Sequence, residues 1–583
     1  MACTRRSTIA IIVSFTFIFA LFNLRSLPQS HRARPPPPKQ QHPLGPWWQH
    51  RPVQHPVASL IPLPTGKPAP IPTIQHQFEE ESPDAKLLRL ARRQAVRESF
   101  LHTWQGYKEN AWLHDEVRPL DGEAINPFGG WAATLVDSLD SLWIMGLKAQ
   151  FEEAVAALEE IDFSLTYMEE LPVFEITIRY LGGLLAAYDL TNGKYPIILE
   201  KAISVGNLLY VAFDTPNHMP VLRWDWRDAK DLEPQEAATD SIMAELGSLS
   251  VEFTRLSQIT QDPKYFDAVQ RITDVFEEHQ NKTRLPGMWP MIVDAAGPGF
   301  KGDRRFNLGG MSDSMYEYLP KQYLLLGGLY PQYKAMYETA IDVAKKYLLF
   351  RPMTPHGDDI LISGNARVTG QTLMEVNAEG EHLTCFAGGM VALAAKIFER
   401  EDDLDIARKL TEGCIWAYRS MPSGIMPEIF RVAACEDETS GCRWNATMWF
   451  LSDAEENPLD ELERKAKSLG LIPGFRSISD KAYQLRPEAI ESVFILYRIT
   501  GDHTLQDKAW DMFTAIDTHC KTDIAYAALK DVTVPHPPMH NNMQSFWTGE
   551  TLKYFYLLYS EPDLVSLDEY VFNTEAHPLK RPQ

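Results

Sequence analysis

Several acidic residues of this chain lie in apolar surroundings, where a simple surface role fits poorly. Glu175 is embedded in "LPVFEITIRYLGGLLAAY", and Arg179 follows it by one helical turn. Glu488 and Glu491 lie at the start of "RPEAIESVFILYRIT", on the face opposite its apolar stripe. On a surface, such residues would form a modest ion pair or complement a helix dipole. In a cavity, the same carboxyls could hold and transfer protons in a defined geometry.

Further candidate residues have ordinary explanations when each is taken alone. Asp313 in "MSDSMYEYLPKQY" occupies the position of a helix N-cap, and His382 in "EHLTCFAGG" is placed like a structural histidine ahead of an apolar helix. Phe546 and Glu550 occur at helical spacing in "SFWTGETLKYFYLLY", where aromatic residues usually belong to a core. Together, these residues predict an acidic, aromatic-lined cavity formed by several helix ends.

Such a cavity indicates the chemistry of glycoside hydrolysis. The sequence shows no Ser-His-Asp grouping, no phosphate-binding loop and no zinc-ligand spacing. In glycoside hydrolysis, one carboxylic acid protonates the leaving oxygen and one carboxylate activates a water molecule. Aromatic faces such as those of Phe546 and Trp131 would pack against the C–H surfaces of a sugar. We therefore expect a carbohydrate-active cavity with two working carboxyls.

Helical patterns separated by short breaks must position these residues. Three segments, "YDLTNGKYPIILEKAI", "SQITQDPKYFDAVQRI" and "YRITGDHTLQDKAWDM", each run from a helix through a Thr-containing turn to a second helix. Stacked hairpins of this kind form an open solenoid or a closed barrel. A closed barrel has no ends to cap and places one end of every inner helix around a cavity. We predict an all-α barrel over residues 86–583, with small-residue segments such as "YLGGLLAAY" and "CFAGGMVALAAKIF" as inner helices.

The N-terminal 85 residues have a different character. Arg5 and Arg6 precede an uncharged apolar run at residues 9–24, which is typical of a signal anchor or a cleaved signal peptide. No clear cleavage site follows, so residues 1–25 are predicted to be an anchor with a cytoplasmic basic flank and a lumenal chain beyond it. Residues 26–85 are rich in proline and lack helical periodicity, so we expect a disordered, extended stem.

The overall charge excludes one class of partner. The chain has 583 residues and a formal net charge of −22. A nucleic-acid partner would need a basic footprint, and none occurs beyond the N-terminus. An acidic surface instead suits a site that is rich in carboxylates or that binds a cation.

Cysteines and glycosylation sequons agree with a lumenal setting. Cys435 and Cys442 enclose a short loop, and Cys385 with Cys414 could tie two helices together, which would leave Cys520 unpaired. Disulfides are expected after entry into the secretory pathway, but the residues alone leave their connectivity open. N-glycosylation sequons begin at Asn281 and Asn445.

Longer motifs carry a resemblance to a known family. They are "VDSLDSLWIMGL", "VFEITIRYLGGLLAAYDL", "AELGSLSVEFTRLSQIT", "DSMYEYLPKQY", "HLTCFAGGM", "LRPEAIESVFILYRITGD", "SFWTGETLKYFYLLYS" and "VFNTEAHPL". From about residue 86 to the C-terminus, the chain resembles the class I α-1,2-mannosidases, glycoside hydrolase family 47. The resemblance implies an (α/α)7 barrel with a bound Ca2+ ion. It also implies hydrolysis, with inversion, of terminal α-1,2-linked mannose on high-mannose N-glycans, taking Man9GlcNAc2 towards Man8 to Man5.

Matching motifs imply a role for each candidate residue. Glu175 is similar to the general acid of the family, with Asp313 as an alternative acid acting through water, and Glu488 is similar to the general base. Inversion needs the acid and base to stand roughly 6.5–9.5 Å apart. By the same resemblance, Arg179, Arg486 and Glu491 would orient these groups. The terminal-mannose subsite would be lined by His382, Phe546, Glu550 and Glu575, with Glu245 reaching further out along the glycan.

The C-terminal motif "VFNTEAHPL" has its own implied role. Thr574 is similar to the calcium ligand of the family, which binds through its hydroxyl and its own carbonyl while waters and sugar hydroxyls complete the shell. Glu575 would neighbour that site, so the end of the chain should plug the barrel. Cys385 and Cys414 correspond to the disulfide of the catalytically active members.

One departure from the family pattern bears on specificity. Met311 stands two residues before Asp313, where members specific for a single mannose carry an arginine. The difference favours broader, Golgi-like trimming. Separately, the anchor predicts a single-pass type II protein of the endoplasmic reticulum or Golgi membrane, and we expect its catalytic domain to be monomeric. The alternative is a glycan-binding quality-control factor of the same fold that marks misfolded glycoproteins for degradation. The complete set of acid, base and calcium residues favours the enzyme.

Overall fold

Helical hairpins form the framework of the molecule, as the apolar periodicity predicts. A computed structural model describes residues 46–297, 299–370, 374–435, 442–450 and 471–582. Within these residues, seven inner helices form a closed ring, and each packs on an outer helix. The pairs, inner helix first, are Leu139–Ile144 with Lys148–Ala157, Gly182–Leu190 with Pro196–Tyr210, Ser250–Thr260 with Lys264–Gln280, Asp313–Leu325 with Pro331–Tyr347, Ala387–Ile397 with Glu401–Ser420, Glu488–Thr500 with Thr504–Cys520, and Leu552–Leu558 with Pro83–Ala111. The predicted closed barrel of paired helices is confirmed.

Small residues and helix caps explain the local packing of this ring. A Cβ atom added to Gly183 would lie 2.7 Å from the carbonyl oxygen of Val136, so glycine lets this inner helix approach the short helix Ala133–Asp137. The outer helix Pro196–Tyr210 begins with a proline, which is favoured where no backbone donor is needed. The inner helix Glu488–Thr500 ends at Gly501, whose φ of 71° suits a left-handed cap. The predicted small-residue inner helices are therefore confirmed.

Short strands and turns connect the barrel helices. The strands are Glu116–Val117, Ala124–Ile125, Glu170–Pro172, Arg223–Asp225, Ser241–Ile242, Ile292–Val293, Arg305–Phe306, Leu349–Phe350, Ile362–Ser363, Asn365–Val368, Met374–Asn377, Glu379–Glu381, Ile429–Val432, Phe475–Asp480, Ala528–Leu529, Met539–His540, Tyr570–Phe572 and Pro578–Lys580. They pair into small antiparallel sheets of two or three strands. The sequence did not indicate them because so short a strand shows no alternation.

Other short helical segments complete the described chain. The α-helical ones are Ala133–Asp137, Val173–Glu175, Trp226–Lys230, Met243–Gly247 and Ala446–Phe450. The 3-10 turns are Trp47–Gln49, Leu158–Glu160, Val211–Phe213 and Leu383–Phe386. Two π-helical turns, Ile176–Leu181 and Trp547–Thr551, interrupt inner helices. Such π turns often occur at functional sites, and both of these contain predicted site residues.

The N-terminal ends of the inner helices gather at one end of the barrel. Strands precede several of these ends directly: Glu170–Pro172 leads to Glu175, and Glu379–Glu381 leads to His382. Backbone hydrogen bonds of the strands therefore fix the residues that enter the cavity.

Residues 46–82 correct the expected extent of the disordered stem. This segment, called the strap below, is extended and proline-rich, but it packs on the barrel. Ile74 is fully buried, and Trp48 packs in the same hydrophobic core as the barrel helices. The stem prediction is therefore wrong for residues 46–82. Residues 26–45 and the anchor predicted at residues 1–25 lie outside the described residues.

Carboxylates of the barrel hold the backbone of the strap. The N–H groups of His55, Ile61 and Ile74 donate to Asp214 (2.7 Å), Asp267 (2.7 Å) and Asp568 (2.6 Å), respectively. Other N–H groups donate to carbonyl oxygens at the ends of inner helices, those of Gly327 and Arg498. An extended segment has no internal hydrogen bonds, so these partners satisfy its donors. The strap thus begins against Trp224 and Trp226, near the strand Arg223–Asp225, and later reaches the C-terminal ends of inner helices at Gly327 and Arg498.

The C-terminal residues enter the barrel as a hairpin. Strands Tyr570–Phe572 and Pro578–Lys580 pair antiparallel, and Phe572 packs against the rings of Phe494 and Tyr554 from two inner helices. In the turn, Asn573 is fully buried and its side-chain amide donates to the carbonyl of Ile178 at 3.1 Å. The prediction that the end of the chain plugs the barrel is confirmed.

Disulfides pair four of the cysteines that the structure describes. Cys385 and Cys414 join an inner helix to its outer partner, with Cα atoms 6.0 Å apart, which confirms the implied pairing. Cys435 pairs with Cys442 across a short loop, and Cys520 is buried with a free thiol. The sequence alone left the pairing of Cys435, Cys442 and Cys520 open.

One helix in the described residues is long and apolar enough to cross a membrane by length and composition. It is Pro196–Phe213, with a mean hydropathy of 1.4. A Cβ added to Gly206 in this helix would clash with Leu256 of a neighbouring inner helix, so the helix belongs to the barrel wall. The sequon residues Asn281 and Asn445 are both exposed, and their glycosylation stays a prediction.

Candidate active site

Arg179 is the centre of a buried ionic cluster that holds Glu175. The Nε atom of Arg179 lies 2.9 Å from Oε2 of Glu175, and Nη1 lies 3.6 Å from Asp137. The same Nη1 donates to the Ser545 hydroxyl at 3.0 Å and contacts the carboxylate of Glu575. Burial opposes the charge on Arg179, but the surrounding carboxylates outweigh it and raise its pKa well above the usual value. The predicted Glu175–Arg179 pair is therefore a fixed internal pair and not a surface one.

Two aromatic rings cover Arg179. The guanidinium carbon lies 4.5 Å from the ring centroid of Phe128 and 5.7 Å from that of Phe546. A buried carboxylate, Asp115, fixes the loop of Phe128 by accepting its N–H (2.8 Å) and three more backbone N–H groups within the next five residues. The same loop turns the ring of Trp131 into the core, where it is 2% exposed. The prediction that Trp131 lines the cavity is therefore wrong.

A hydrogen bond and a nearby cation keep Glu488 ionised. His382 Nδ1 lies 2.8 Å from Glu488 Oε2, and Arg486 Nη1 lies 3.7 Å from Oε1. Burial alone would raise the pKa of Glu488, but the His382 hydrogen bond and the Arg486 charge outweigh it and lower this pKa below its ordinary value. His382 is fully buried between Glu488 and Tyr418. His382 is therefore placed to orient Glu488, and its predicted place in the sugar subsite stays a prediction.

Asp313 has the opposite electrostatic environment. Desolvation raises its pKa to about 7, and the negative charges of Glu317, Glu488 and Glu381 add to this rise. A hydrogen bond of 2.8 Å from the N–H of Ser314 offsets only part of it. Near neutral pH, Asp313 can therefore hold a proton while Glu488 remains a carboxylate.

Further carboxyls gather near the C-terminal hairpin. Burial raises the pKa of Glu491 and that of Glu575 to about 8, and nearby negative charges contribute to both shifts. Burial and the charges of neighbouring glutamates raise the pKa of Glu550 well above its ordinary value. Lys321 lies 3.5 Å from Glu491 and is the cation closest to this carboxylate in the described residues. The region concentrates more potential negative charge than its cations balance.

Thr574 faces this acidic region. It is the one partly exposed residue between Val571 and Leu579, and its N–H donates to the hydroxyl of Tyr318 at 3.2 Å. Within the described residues, no group of three or more His, Cys, Asp and Glu side chains is arranged to hold a metal ion. A cation here would therefore depend on hydroxyl, carbonyl and water oxygens, which Ca2+ accepts. The residues fit the implied ion, because it would also relieve the repulsion between the nearby carboxyls.

Glu245 lies at the outer side of the same cavity. Its pKa is raised to about 7, mainly by burial. The charge of Glu175 adds to this rise, and the charge of Arg223 offsets part of it. The helix Met243–Gly247 is tied to the Asp313 region because the N–H of Ala244 donates to the carbonyl of Met311 at 3.0 Å. The predicted site residues are thus brought together around one cavity.

Sequence reasoning missed several residues that hold this cavity. Glu428 accepts a hydrogen bond from Arg486 Nε, and its carbonyl accepts the N–H of His382, so it fixes both neighbours of Glu488. Its signal was a lone acid directly ahead of the segment "IFRV". Phe128 and Ser545 gave no such signal, because their partners lie far away in the chain.

A closed helical barrel whose cavity holds one ionised and one proton-holding carboxyl defines a glycoside hydrolase of the α/α-barrel class. A family model for glycosyl hydrolase family 47 matches residues 99–581. The chain belongs to this family, and it is a glycosidase.

Relatives with curated names agree with this assignment. The mannosyl-oligosaccharide 1,2-alpha-mannosidase MNS1 of Arabidopsis thaliana is 35% identical over 499 residues, which cover 84% of this chain and 78% of the relative. The endoplasmic reticulum mannosyl-oligosaccharide 1,2-alpha-mannosidase of Rattus norvegicus is 34% identical over 498 residues, which cover 84% of this chain and 68% of the relative. The solved structure of an alpha-1,2-mannosidase from Trichoderma reesei superposes with a TM-score of 0.74 at 29% identity and covers 85% of this chain and 99% of that one.

Proposed function

We propose that the protein is a Ca2+-dependent, inverting exo-α-1,2-mannosidase that trims terminal mannose from high-mannose N-glycans. Family membership supports glycosidic hydrolysis, and the names of the relatives support the mannose linkage and the oligosaccharide substrate. One observation of the site carries the mechanism: Asp313 and Glu488 lie close enough to interact electrostatically, and their pKa values are displaced in opposite directions. Carboxyls displaced in this way divide naturally into an acid and a base.

Glu488 is the general base in this proposal. Its lowered pKa keeps it ionised in weakly acidic and neutral solution, so it can accept a proton from water. His382 forms a hydrogen bond with one of its oxygens, and Arg486 lies 3.7 Å from the other, so the protein fixes the direction of the carboxylate. A fixed base that attacks through water gives the inverted anomer.

Two carboxyls can supply the proton to the leaving oxygen. Motif matching favours Glu175, whose carboxylate is fixed by Arg179 at 2.9 Å. The raised pKa of Asp313 favours that residue, acting through water. We propose both as candidates, because each would protonate the same glycosidic oxygen and a substitution test separates them.

Thr574 would hold the calcium ion, with waters and sugar hydroxyls as the remaining ligands. When bound, the ion would fix sugar hydroxyls and favour distortion of the ring towards the oxocarbenium-like transition state. Phe546 and Phe128 would cover the Arg179 cluster and exclude water from it.

We also propose a lumenal location in the secretory pathway. One relative is named as an enzyme of the endoplasmic reticulum, and two disulfides in the described residues suit an oxidising compartment. The anchor at residues 1–25 and the type II topology remain part of this proposal.

Release of mannose from Man9GlcNAc2 by the fragment 46–583 tests the proposal. We expect activity with calcium, its loss in a chelator, and a decrease of about 100-fold or more in kcat for Glu488→Gln. Glu98→Gln, which changes an exposed glutamate on the outer helix Pro83–Ala111, is the matched control and should remain active. An inactive wild-type fragment with calcium present would contradict the enzyme proposal, and full activity in the chelator would contradict the metal.

α-Mannosyl fluoride separates the two acid candidates. Fluoride leaves without much protonation, so a variant that lacks the acid should lose activity on the glycan and keep most of its activity on the fluoride. We expect this pattern for only one of Glu175→Gln and Asp313→Asn. Proton NMR of the first mannose released should show the β-anomer, and the α-anomer would exclude inversion.

A further inference from the structure

Arg223 occupies the rim of the cavity, outside Glu245. Its side chain is 52% exposed, and one of its Nη atoms contacts the Glu245 carboxylate, which is only 10% exposed. A guanidinium has five N–H donors, and Glu245 is the one acceptor recorded for this group in the described part of the chain. The remaining donors face the solvent at the mouth of the site.

Backbone contacts fix the position of Arg223 relative to the catalytic carboxyls. Arg223 pairs with Pro172 in a two-stranded ribbon, and Pro172 precedes Glu175 by three residues. The next residue, Val173, donates its N–H to the carbonyl of Leu222 at 3.0 Å. The ribbon whose first strand leads to Glu175 therefore carries Arg223 on its second strand.

A second contact ties the same rim to Asp313. The helix of Glu245 is bonded through Ala244 to Met311, at 3.0 Å, and Met311 lies two residues before Asp313. The Arg223–Glu245 pair consequently stands between the segments that carry Glu175 and Asp313. A linear or branched glycan that places its terminal sugar between these carboxyls must leave the cavity past a rim of this kind.

We propose that Arg223, held by Glu245, binds the hydroxyls of sugars beyond the cleaved disaccharide and so sets which glycan branch is trimmed. Neutral sugars offer vicinal hydroxyl oxygens as acceptors, and a planar guanidinium presents paired donors that match them. Glu245 pre-orients the arginine, because an unpaired side chain of this length would lose more rotamer entropy on binding. The proposal depends on the mannosidase function proposed above, since it names the outer part of that substrate site.

Two substrates of different length test the role of Arg223. In the fragment 46–583, Arg223→Gln should lower kcat/KM on Man9GlcNAc2 by about tenfold and change the order in which Man8 isomers appear. The methyl glycoside of α-1,2-mannobiose, which lacks the outer sugars, should be cleaved within twofold of the wild-type rate. Arg223→Lys, which keeps the charge but not the planar fork, should fall between the two on Man9GlcNAc2.

Arg408→Gln is the matched control. Arg408 is 40% exposed and pairs with one carboxylate, Asp502, which follows an inner helix at the opposite end of the barrel. Arg408→Gln should leave kcat/KM unchanged on both substrates.

An equal loss of kcat/KM on both substrates for Arg223→Gln would overturn the proposal, because it would show that Arg223 supports Glu175. No loss on either would also overturn it. A wild-type fragment that cleaves neither substrate would instead contradict the proposed function.

Discussion

At the scale of single residues, the cavity is organised by side chains that act on one another before any substrate arrives. Arg179 contacts Glu175, Asp137 and Glu575, while His382 and Arg486 hold the two oxygens of Glu488. In these two groups the buried charges have partners, which is the condition under which burial is tolerated. The acidic chemistry of the site therefore depends on its cations as much as on its carboxyls.

The pKa of Asp313 predicts the alkaline side of the pH profile. Its folded-state pKa of about 7 lies above the ordinary value, so its proton is present below about pH 7 and lost as the pH rises through that range. Glu488 has a lowered pKa and stays ionised across the same range. If Asp313 is the acid, kcat/KM should fall with a midpoint near pH 7 in the wild type. The residual activity of Asp313→Asn should lack this fall, and an unchanged fall would assign it to another carboxyl.

The ring of Phe128 should contribute to catalysis through Arg179. A cation–π contact that is shielded from water contributes about 1–2 kcal/mol, which is roughly a fivefold to thirtyfold effect on rate if it acts in the transition state. Phe128→Leu keeps most of the volume and loses the ring face, so kcat should fall by about tenfold. Phe128→Tyr keeps the face and should stay close to the wild type. Equal rates for the two variants, with unchanged thermal midpoints, would exclude this role.

Sequence reasoning reached the carboxyls of the site more readily than their supports. Glu175 and Glu488 stood out because acids within apolar helices are unusual, and the family motifs then gave them roles. Phe128 lies in the irregular segment "NPFGG", and its approach to Arg179 depends on four hydrogen bonds to Asp115. The contact between Phe128 and Arg179 joins residues about 50 positions apart, so it leaves no local pattern in the sequence.

At the scale of elements, the site depends on interruptions of regular helices. The π turn Ile176–Leu181 carries Arg179, and the π turn Trp547–Thr551 carries Glu550. A π turn changes the direction of the side chains that follow it. In each of these two helices, some residues can therefore pack in the ring while others enter the cavity. Helical periodicity predicted the existence of these inner helices but could not show where a turn widens.

The C-terminal hairpin is the element whose removal should have the largest effect. Ending the chain after Val571 would remove Asn573, whose side-chain oxygen accepts the N–H groups of Glu575 and His577, and whose amide donates to Glu252. It would also remove His577, a partner of the buried carboxylates Asp137 and Asp140. We expect loss of soluble, folded protein, measured by expression and thermal unfolding. Ending the chain after Leu579 removes only the last pair of the hairpin and should preserve activity.

Thr574→Ala separates the metal site from the plug. The variant keeps the hairpin and its backbone hydrogen bonds but lacks the hydroxyl that is proposed to bind calcium. Its thermal midpoint in a chelator should equal that of the wild type, and calcium should raise the wild-type midpoint more than that of the variant. An equal calcium-dependent rise in both proteins would place the ion elsewhere.

At the scale of the whole molecule, the barrel is closed by segments from both ends of the chain. The long helix Pro83–Ala111 packs outside the last inner helix, Leu552–Leu558, and the C-terminal hairpin fills the ring. The closed ring was predictable, since repeated hairpins with small-residue faces have few other ways to bury them. The strap was not predictable, because proline-rich composition reports only that a segment lacks internal hydrogen bonds. Its partners, such as Asp214 and Asp568, lie about 160 and 490 residues away.

The strap should therefore be a stabilising part of the catalytic unit, and fragments 46–583 and 83–583 test this. Removing it exposes Ile74 and leaves the carboxylates of Asp214, Asp267 and Asp568 without the backbone donors that now pair with them. Hydrogen bonds to charged groups contribute about 1.5–3 kcal/mol each, so we expect the thermal midpoint of fragment 83–583 to be lower by about 5–10 °C. Activity well below that midpoint should be largely retained, because the hydrogen bonds of the strap in the described residues go to Asp214, Asp267 and Asp568 and not to the site carboxyls.

The pH dependence of this difference identifies one anchor. Burial raises the pKa of Asp214, but hydrogen bonds from the strap outweigh this effect and lower it below the ordinary value. The contribution of Asp214 to the free energy of unfolding is therefore fully present when the pH is above the ordinary Asp pKa. It is lost as the pH falls through the lowered pKa of Asp214 in the folded protein. The difference between the thermal midpoints of fragments 46–583 and 83–583 should become smaller in strong acid. At neutral pH, Asp214→Ala should lower the thermal midpoint of fragment 46–583 part of the way towards that of fragment 83–583. Identical midpoints for the two fragments at neutral pH would show that the strap rests on the barrel without stabilising it.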